Sequence, residues 1–269
     1  MIKKRDTFRT TEIAMAVGVH PNTVRMYEQW GFLPPVKRSP NGYRIYSLFH
    51  LEQMRLARMA LHGGWPGGRI RKSALELVRC SAARDLRQAI QLAQNHIALV
   101  REERRQAEAA AEYLEKWVRG KIPDRPSSAV SIREAARLVD STPDAIRGWE
   151  RNGLLRVPRD PKNGYRRYAA REIGRLRVIR LLLRSGYSTM SVLRAMRSLD
   201  SGAGTKMRHV LDTPHPEEDV LWAADRWLTT LAEQEARAQK ILKQLRRMTR
   251  IPIKKAVEPR PGFAVARPG

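Results

Sequence analysis

Cysteine is almost missing from this chain: Cys80 is the only one in 269 residues. That excludes intramolecular disulfides and any metal site built on a cysteine cluster. Histidine gives no substitute, because His62, His96, His209 and His215 are too scattered to form a ligand set. Acidic residues are scarce as well. Asp and Glu total 27 against 52 Lys and Arg, a formal charge of +25. Such a charge repels itself and calls for a polyanionic partner. No run approaches the roughly 18 apolar residues of a membrane span. Met1-Ile-Lys-Lys-Arg-Asp6 has no apolar segment behind it, so no signal peptide is read there. The basic residues are spread along the chain rather than gathered in one amphipathic stretch, which favours nucleic acid over a membrane surface. A genome rich in G and C would explain Arg over Lys but not the acidic deficit. A phosphate loop, a nucleophile elbow and a zinc-protease motif are all missing, so no enzyme and no cofactor are expected.

What is present is an internal repeat at an offset of 122 residues. Glu12, Pro21, Arg25, Glu28, Gly31 and Leu33 recur as Glu134, Pro143, Arg147, Glu150, Gly153 and Leu155. Asn41-Gly-Tyr-Arg44 recurs as Asn163-Gly-Tyr-Arg166, Tyr46 as Tyr168 and Gly64 as Gly186. Two copies are too few for a solenoid and read as two domains.

Each copy reads as a helix-turn-helix followed by a wing. In copy one a helix is expected over 10–17, a turn at Gly18-Val19, and a second helix from Pro21 to Trp30, stopped by Gly31. Thr142 is a good N-cap for the second helix of copy two; His20 is a poorer one. The stretches Pro34 to Ser47 and Val157 to Ala169 are rich in turn formers. Asn-Gly followed by Tyr-Arg-x-Tyr predicts a hairpin with a type I′ turn. Further helices are expected at 48–62 and 170–185, with short ones starting near Pro66 and Thr189. The acidic residues from Asp212 to Asp219 read as capping a helix start rather than binding metal.

Two longer seams follow the copies. Leu86, Ile90, Ala93, Ile97, Val100, Ala107, Ala111, Leu114 and Val118 keep heptad spacing, broken by Arg104. Leu221, Ala224, Leu228, Leu231, Ala238, Leu242 and Leu245 do the same, broken by Glu235. A coiled coil is favoured over two helices packed on their own domains, and the two interruptions are positioned to pair if the register allows.

Thr23-Val-Arg-Met-Tyr-Glu28 with Gly31-Phe-Leu-Pro34 and Asn41-Gly-Tyr-Arg-Ile-Tyr46 resembles the DNA-binding domain of MerR-family regulators. So does Ala145-Ile-Arg-Gly-Trp-Glu150 with Gly153-Leu-Leu155 and Asn163-Gly-Tyr-Arg-Arg-Tyr168. The resemblance implies a mostly α fold: tandem winged helix-turn-helix domains, each followed by a long helix, the two helices forming an antiparallel coiled coil. The expected organisation is a first domain at 8–78, a helix at 82–119, a linker at 120–128, a second domain at 129–199, a helix at 217–248 and a basic, Pro-rich, disordered tail at 251–269. Members dimerise through such helices, so one chain holding both implies a pseudo-dimeric monomer rather than a homodimer.

Recognition helices enter the major groove through their N-terminal residues. In copy one these are Asn22, Thr23, Arg25 and Met26; in copy two they are Asp144, Ala145, Arg147 and Gly148. The resemblance places Arg25, Arg147, Tyr27 and Trp149 near the DNA backbone. It places the wing residues Arg38, Tyr43, Arg44, Tyr165, Arg166 and Arg167 on phosphate or in the minor groove. Glu28 and Glu150 are expected to orient arginines or cap a helix, and Tyr46 to pack the wing on the core. The unlike recognition helices imply two unlike half-sites. The implied function is a cytoplasmic, nucleoid-associated regulator that distorts promoter DNA and engages RNA polymerase. The alternative is an architectural DNA factor, such as an excisionase or a segregation protein.

Overall fold

The structure, a computed structural model, describes residues 7–61, 67–122, 128–202, 206–214 and 225–252. The turn at Gly63-Gly64, the seam positions Leu221 and Ala224, and residues 253–269 of the tail lie outside these ranges.

The first module contains β1 (Thr7–Phe8), α1 (Thr10–Val17), α2 (Pro21–Gln29), β2 (Lys37–Arg38), β3 (Arg44–Ser47), α3 (Leu48–Leu61) and α4 (Gly67–Ala82). α1 starts where the backbone N–H of Arg9 donates to Glu12 Oε2 at 2.7 Å. α2 starts at Pro21, with His20 Nδ1 accepting from Asn22 N at 3.2 Å. Gly31, at φ +72, turns the chain out of α2, and its left-handed backbone suits a residue without a Cβ. The sheet order is β1-β3-β2, antiparallel, with Thr7 opposite Ser47 and Lys37 opposite Ile45. Ile13, Val24, Leu33, Tyr46, Met54 and Leu77 fill the core between helices and sheet. Tyr46 is fully buried, as its expected packing role requires.

The wing corrects one expectation. Asn41 is not left-handed; only Gly42 is, at φ +76. Gly42 N donates to Ser39 O and Ser39 N to Tyr43 O. The hairpin therefore closes over Pro40-Asn41-Gly42 with one left-handed residue, the pattern of a three-residue loop rather than a two-residue type I′ turn. α4 is also no short helix: it runs for 16 residues.

The second module repeats the plan in α6 (Ile132–Leu138), α7 (Pro143–Arg151), α8 (Ala170–Arg184) and α9 (Thr189–Asp200). Thr142 Oγ1 accepts from Ala145 N at 3.1 Å, so the better cap does its expected work. The strands are reduced to the bridges Val130 with Tyr168 and Arg159 with Arg166.

Between the modules runs α5 (Leu86–Val118), and after α10 (Met207–Asp212) comes α11 (Trp227–Met248). α5 starts at Asp85, whose carboxylate accepts from Gln88 N at 2.9 Å. Arg84, at φ +68, breaks the chain between α4 and α5. Asp212 accepts from the backbone N–H of Thr229 in the first turn of α11, while the helix start expected just after Pro214 and Pro216 lies outside the described residues. The two long helices pack together. Arg104 and Arg101, near the middle of α5, both reach Glu235 on α11.

The ends of the pair settle its direction. Ala89 and Ala93, early in α5, share the first module's core with Ile241, Leu245 and Met248 of α11. Ala107, Ala111 and Leu114, late in α5, share the second module's core with Trp227 and Leu231. The helices are thus antiparallel, and each end is seated in one module. α11 packs on α3, and α5 packs on α8 and α10. The buried face of α5 is wider than a two-helix seam, because Ala110 and Trp117 are also buried toward the second module. Full burial of an aliphatic or aromatic side chain contributes about 1.5–3 kcal/mol, so these shared residues bind the modules into one unit.

Candidate nucleic-acid interface

The two faces expected to meet DNA are built alike. α2 and α7 each present their N-terminal turn to solvent, with Asn22, Arg25, Asp144 and Arg147 exposed and Thr23, Met26 and Ala145 half-exposed. Beside them stand the wings, with Tyr43 and Tyr165 each 74% exposed. Both rings lie at the same place in the repeat, each with an apolar face and a phenolic hydroxyl open to a partner.

Behind each tyrosine an arginine is held by a carboxylate. Arg44 Nε donates to Glu28 Oε2 at 2.7 Å, and Arg166 Nε donates to Glu150 Oε2 at 2.7 Å. Both pairs tie the wing to the second helix of the helix-turn-helix. Only Nε is used in each pair, which leaves the outer nitrogens of the guanidinium fork for another acceptor. The hydrogen bond that Arg166 donates to Glu150 also holds its guanidinium above the usual range, so it stays charged. Glu28 and Glu150 thus orient arginines, as their positions suggest.

Further wing contacts fix the tips. Arg38 Nη1 donates to Gly42 O at 3.2 Å, and its counterpart Arg159 donates to Gly164 O at 3.1 Å. Arg159 was not singled out in the sequence, because the repeat aligns Lys37, not an arginine, with it. Arg167 is exposed and pairs with Asp160 at 3.3 Å. A cavity of about 990 Å³ opens between the first wing and the start of α1, with Arg9, Thr11, Asn41, Tyr43 and Arg44 on its walls.

The copies differ in their recognition helices. Arg147 Nη1 donates to Asp144 Oδ1 at 2.6 Å. Arg25 has no hydrogen bond or ion pair among the described residues, and Asn22 stands where Asp144 does. Two aromatic positions are less available than expected. Tyr27 is 7% exposed and packs edge-on against Phe32, so its ring belongs to the core. Trp149 is half-buried against the second module's core. Helix periodicity explains both, since each follows three residues after a fully buried aliphatic, Val24 or Ile146. No described helix is long and apolar enough to cross a membrane.

The family model for MerR HTH family regulatory proteins matches residues 8–76 and again 130–199, together just over half of the chain. The HTH-type transcriptional regulator CueR of Escherichia coli O157:H7 is 36% identical over 55 residues, 20% of this chain and 41% of that protein. A probable heavy metal-dependent transcriptional regulator of Haemophilus influenzae is 28% identical over 107 residues, 40% of this chain and 82% of its own length. The mercuric resistance operon regulatory protein of Bacillus cereus is 45% identical over 40 residues, 15% of this chain and 30% of its own. The chain spans about two fifths of the length of the CueR relatives it matches. No solved structure matches.

Proposed function

The chain belongs to the MerR HTH family of regulatory proteins, and on that premise we propose that it is a DNA-binding transcription regulator working as a single-chain pseudo-dimer. Its two DNA-binding modules occupy 8–78 and 129–199, joined through the 120–128 linker, with α5 and α11 pairing them. Asn22, Thr23, Arg25 and Met26 read one half-site; Asp144, Ala145 and Arg147 read a different one. Arg38, Tyr43 and Arg44, with Tyr165, Arg166 and Arg167, bind the phosphate backbone beside each half-site. Tyr27 and Trp149 support these contacts from behind. At promoters the bound chain distorts the DNA and acts on RNA polymerase.

One observation carries this reading: each module's core is completed by both long helices of the same chain. The partner that a separate dimer would have to recruit is therefore already present, at high effective concentration. The test is the mass of the complex with operator DNA, measured by light scattering on the full chain. One chain per operator is expected. Two chains per operator would sink the pseudo-dimer while leaving the regulator intact. Genome-wide mapping of bound sites tests the regulator itself, which requires sites centred in promoters; sites at recombination or partition loci would overturn it.

A further inference from the structure

One surface is apolar in the first module and basic in the second. In the first module Pro34, Phe49, Gln53, Leu75 and Val78 occupy it. Phe49 is 6% exposed and Val78 is fully buried, and Arg84 lies over the Phe49 ring at 4.5 Å. The chain's own turn between α4 and α5 covers that seat. At the same offset the second module carries Arg156, Arg171, Arg175, Arg197 and Asp200. Arg156, Arg171, Arg197 and Asp200 stay exposed there, and a cavity of about 640 Å³ opens beside Gly153.

The charges at this cavity are unbalanced. Arg175 is committed, with Nε on Leu154 O at 2.8 Å and its fork on both oxygens of Asp200 at 2.6 and 2.9 Å. Glu172, the other carboxylate on the wall, accepts from Ala169 N at 3.0 Å in the cap of α8. Arg156, Arg171 and Arg197 are exposed and make no hydrogen bond or ion pair among the described residues. The Arg175 hydrogen bonds, then the nearby charges of Arg171 and Arg156, hold the Asp200 carboxyl below its usual range. Four guanidiniums thus face two occupied carboxylates across one concavity.

We propose that Arg156, Arg171 and Arg197 form a phosphate-binding site of the second module, separate from its recognition helix. Forked guanidiniums match phosphate oxygens, and three whose N–H donors make no hydrogen bond among the described residues gain most from such a ligand. The site lies beyond the C-terminal end of α7, whereas the groove-facing residues occupy its N-terminal turn. Nine helical residues separate these ends by roughly 13 Å. The phosphate comes either from a free phosphorylated small molecule or from DNA running past the half-site. The second source rests on the DNA-binding reading above; the first does not.

The test uses the full chain, the variant R156A/R171A/R197A and a charge-matched control, R87A/K243A/R246A. Inorganic pyrophosphate is titrated into each by calorimetry, and each is bound to a duplex of operator length and to one about twice as long. Arg175 is left in place because it holds Leu154 and Asp200, and matching melting curves check that the variants fold. The expected result is at least a tenfold loss of pyrophosphate affinity in the cavity variant but not in the control. A gain in affinity on the longer duplex that only the cavity variant loses would identify DNA as the source of phosphate. An equal gain in all three, with pyrophosphate binding lost, would identify a free phosphate compound. Equal behaviour of variant and control in both arms overturns the proposal and leaves the cluster to an acidic protein surface. Retained binding to the operator-length duplex keeps all these outcomes distinct from a failure of the DNA-binding reading.

Discussion

Arg104 Nη1 lies 3.0 Å from Glu235 Oε2, so the single charge that interrupts each apolar seam meets the other across the antiparallel pair. Arg101 Nε adds a second bond to the same carboxylate at 2.8 Å. Glu235 is mostly buried, whereas both arginines keep much of their surface in water. The triad therefore fixes register more than it adds stability.

Glu235→Gln should lower stability by about 1 kcal/mol or less, since the arginines can rehydrate. In a chain of this size that is a fall of roughly 2–4 °C in Tm. The hydrogen bond from Arg101, then that from Arg104, holds the Glu235 carboxyl below its ordinary value of 4.5. Its contribution is present above the unfolded pKa and disappears as pH falls through the folded one. Melting curves from pH 6 to pH 3 should lose this part of their acid slope in the variant. An unchanged slope would show that the pair carries no such linkage.

Gly186→Ala should be severe. Gly186 sits at φ +93, and a Cβ there would meet the Trp227 indole at 2.5 Å. The ring cannot simply move, because Trp227 Nε1 donates to Ser185 O at 2.7 Å and the ring is 5% exposed. Left-handed strain and overpacking together cost about 2–5 kcal/mol. Denaturant titration of the full chain checks this, and a loss below 1 kcal/mol would contradict the packing of α11 on the second module.

His96 is 2% exposed, and its ring Nδ1 meets Ser73 Oγ at 3.1 Å. Burial pushes its pKa down to about 4. The unfolded chain therefore binds a proton that the folded one refuses between pH 6.5 and 4. Stability falls as pH drops through that window, by about 2 kcal/mol at pH 5. His96→Gln should flatten the curve between pH 7 and 5 in an unfolding titration. Persistence of the slope would assign it to other groups.

Arg44→Ala and Arg166→Ala should each weaken DNA binding whatever the sequence. Each should reduce the log–log salt slope by about 0.9 if one phosphate contact is lost. A slope equal to that of the unaltered chain would remove these two residues from the interface.

Exchanging residues 21–30 with 143–152 should reverse the preferred orientation on an asymmetric operator, read by footprinting. Retention of the original orientation would show that half-site choice lies outside α2 and α7.

Much of this architecture is legible in the chain because the repeat supplies two readings of every element. Pro21 and Pro143 start equivalent helices, and Gly31 and Gly153 end them with matching positive φ. Where one copy departs from the other, legibility fails. Asp140 takes the left-handed place of Gly18, at φ +47, and reaches Arg180 with its carboxylate, a long-range pair with no local signal. The length of the wing loop is not legible, because Asn-Gly reports a left-handed glycine but not the number of residues the loop spans. The seams revealed that α5 and α11 are amphipathic. They did not reveal Gln244, whose amide donates to Glu52 Oε2 at 2.6 Å and to Glu52 O at 3.2 Å. Polar residues buried at an interface follow no period, so heptad spacing passes over them. The Arg-rich face of the second module was hidden for a different reason. Its members are spread from 156 to 200, and overall basicity conceals any one cluster.

The seating of Ile241, Leu245 and Met248 in the first module's core has a consequence for synthesis. A ribosome delivers residues 7–82 long before the segment that completes them, and the whole second module emerges in between. The bond from Gln244 to Glu52 closes across 192 positions. Until α11 emerges, the nascent first module keeps an unfilled apolar face, the kind of exposed surface that invites aggregation and chaperone capture. The part of the polypeptide translated first is therefore the part that matures last, and shortening the message near codon 240 should harm the N-terminal module more than the one adjoining the deletion.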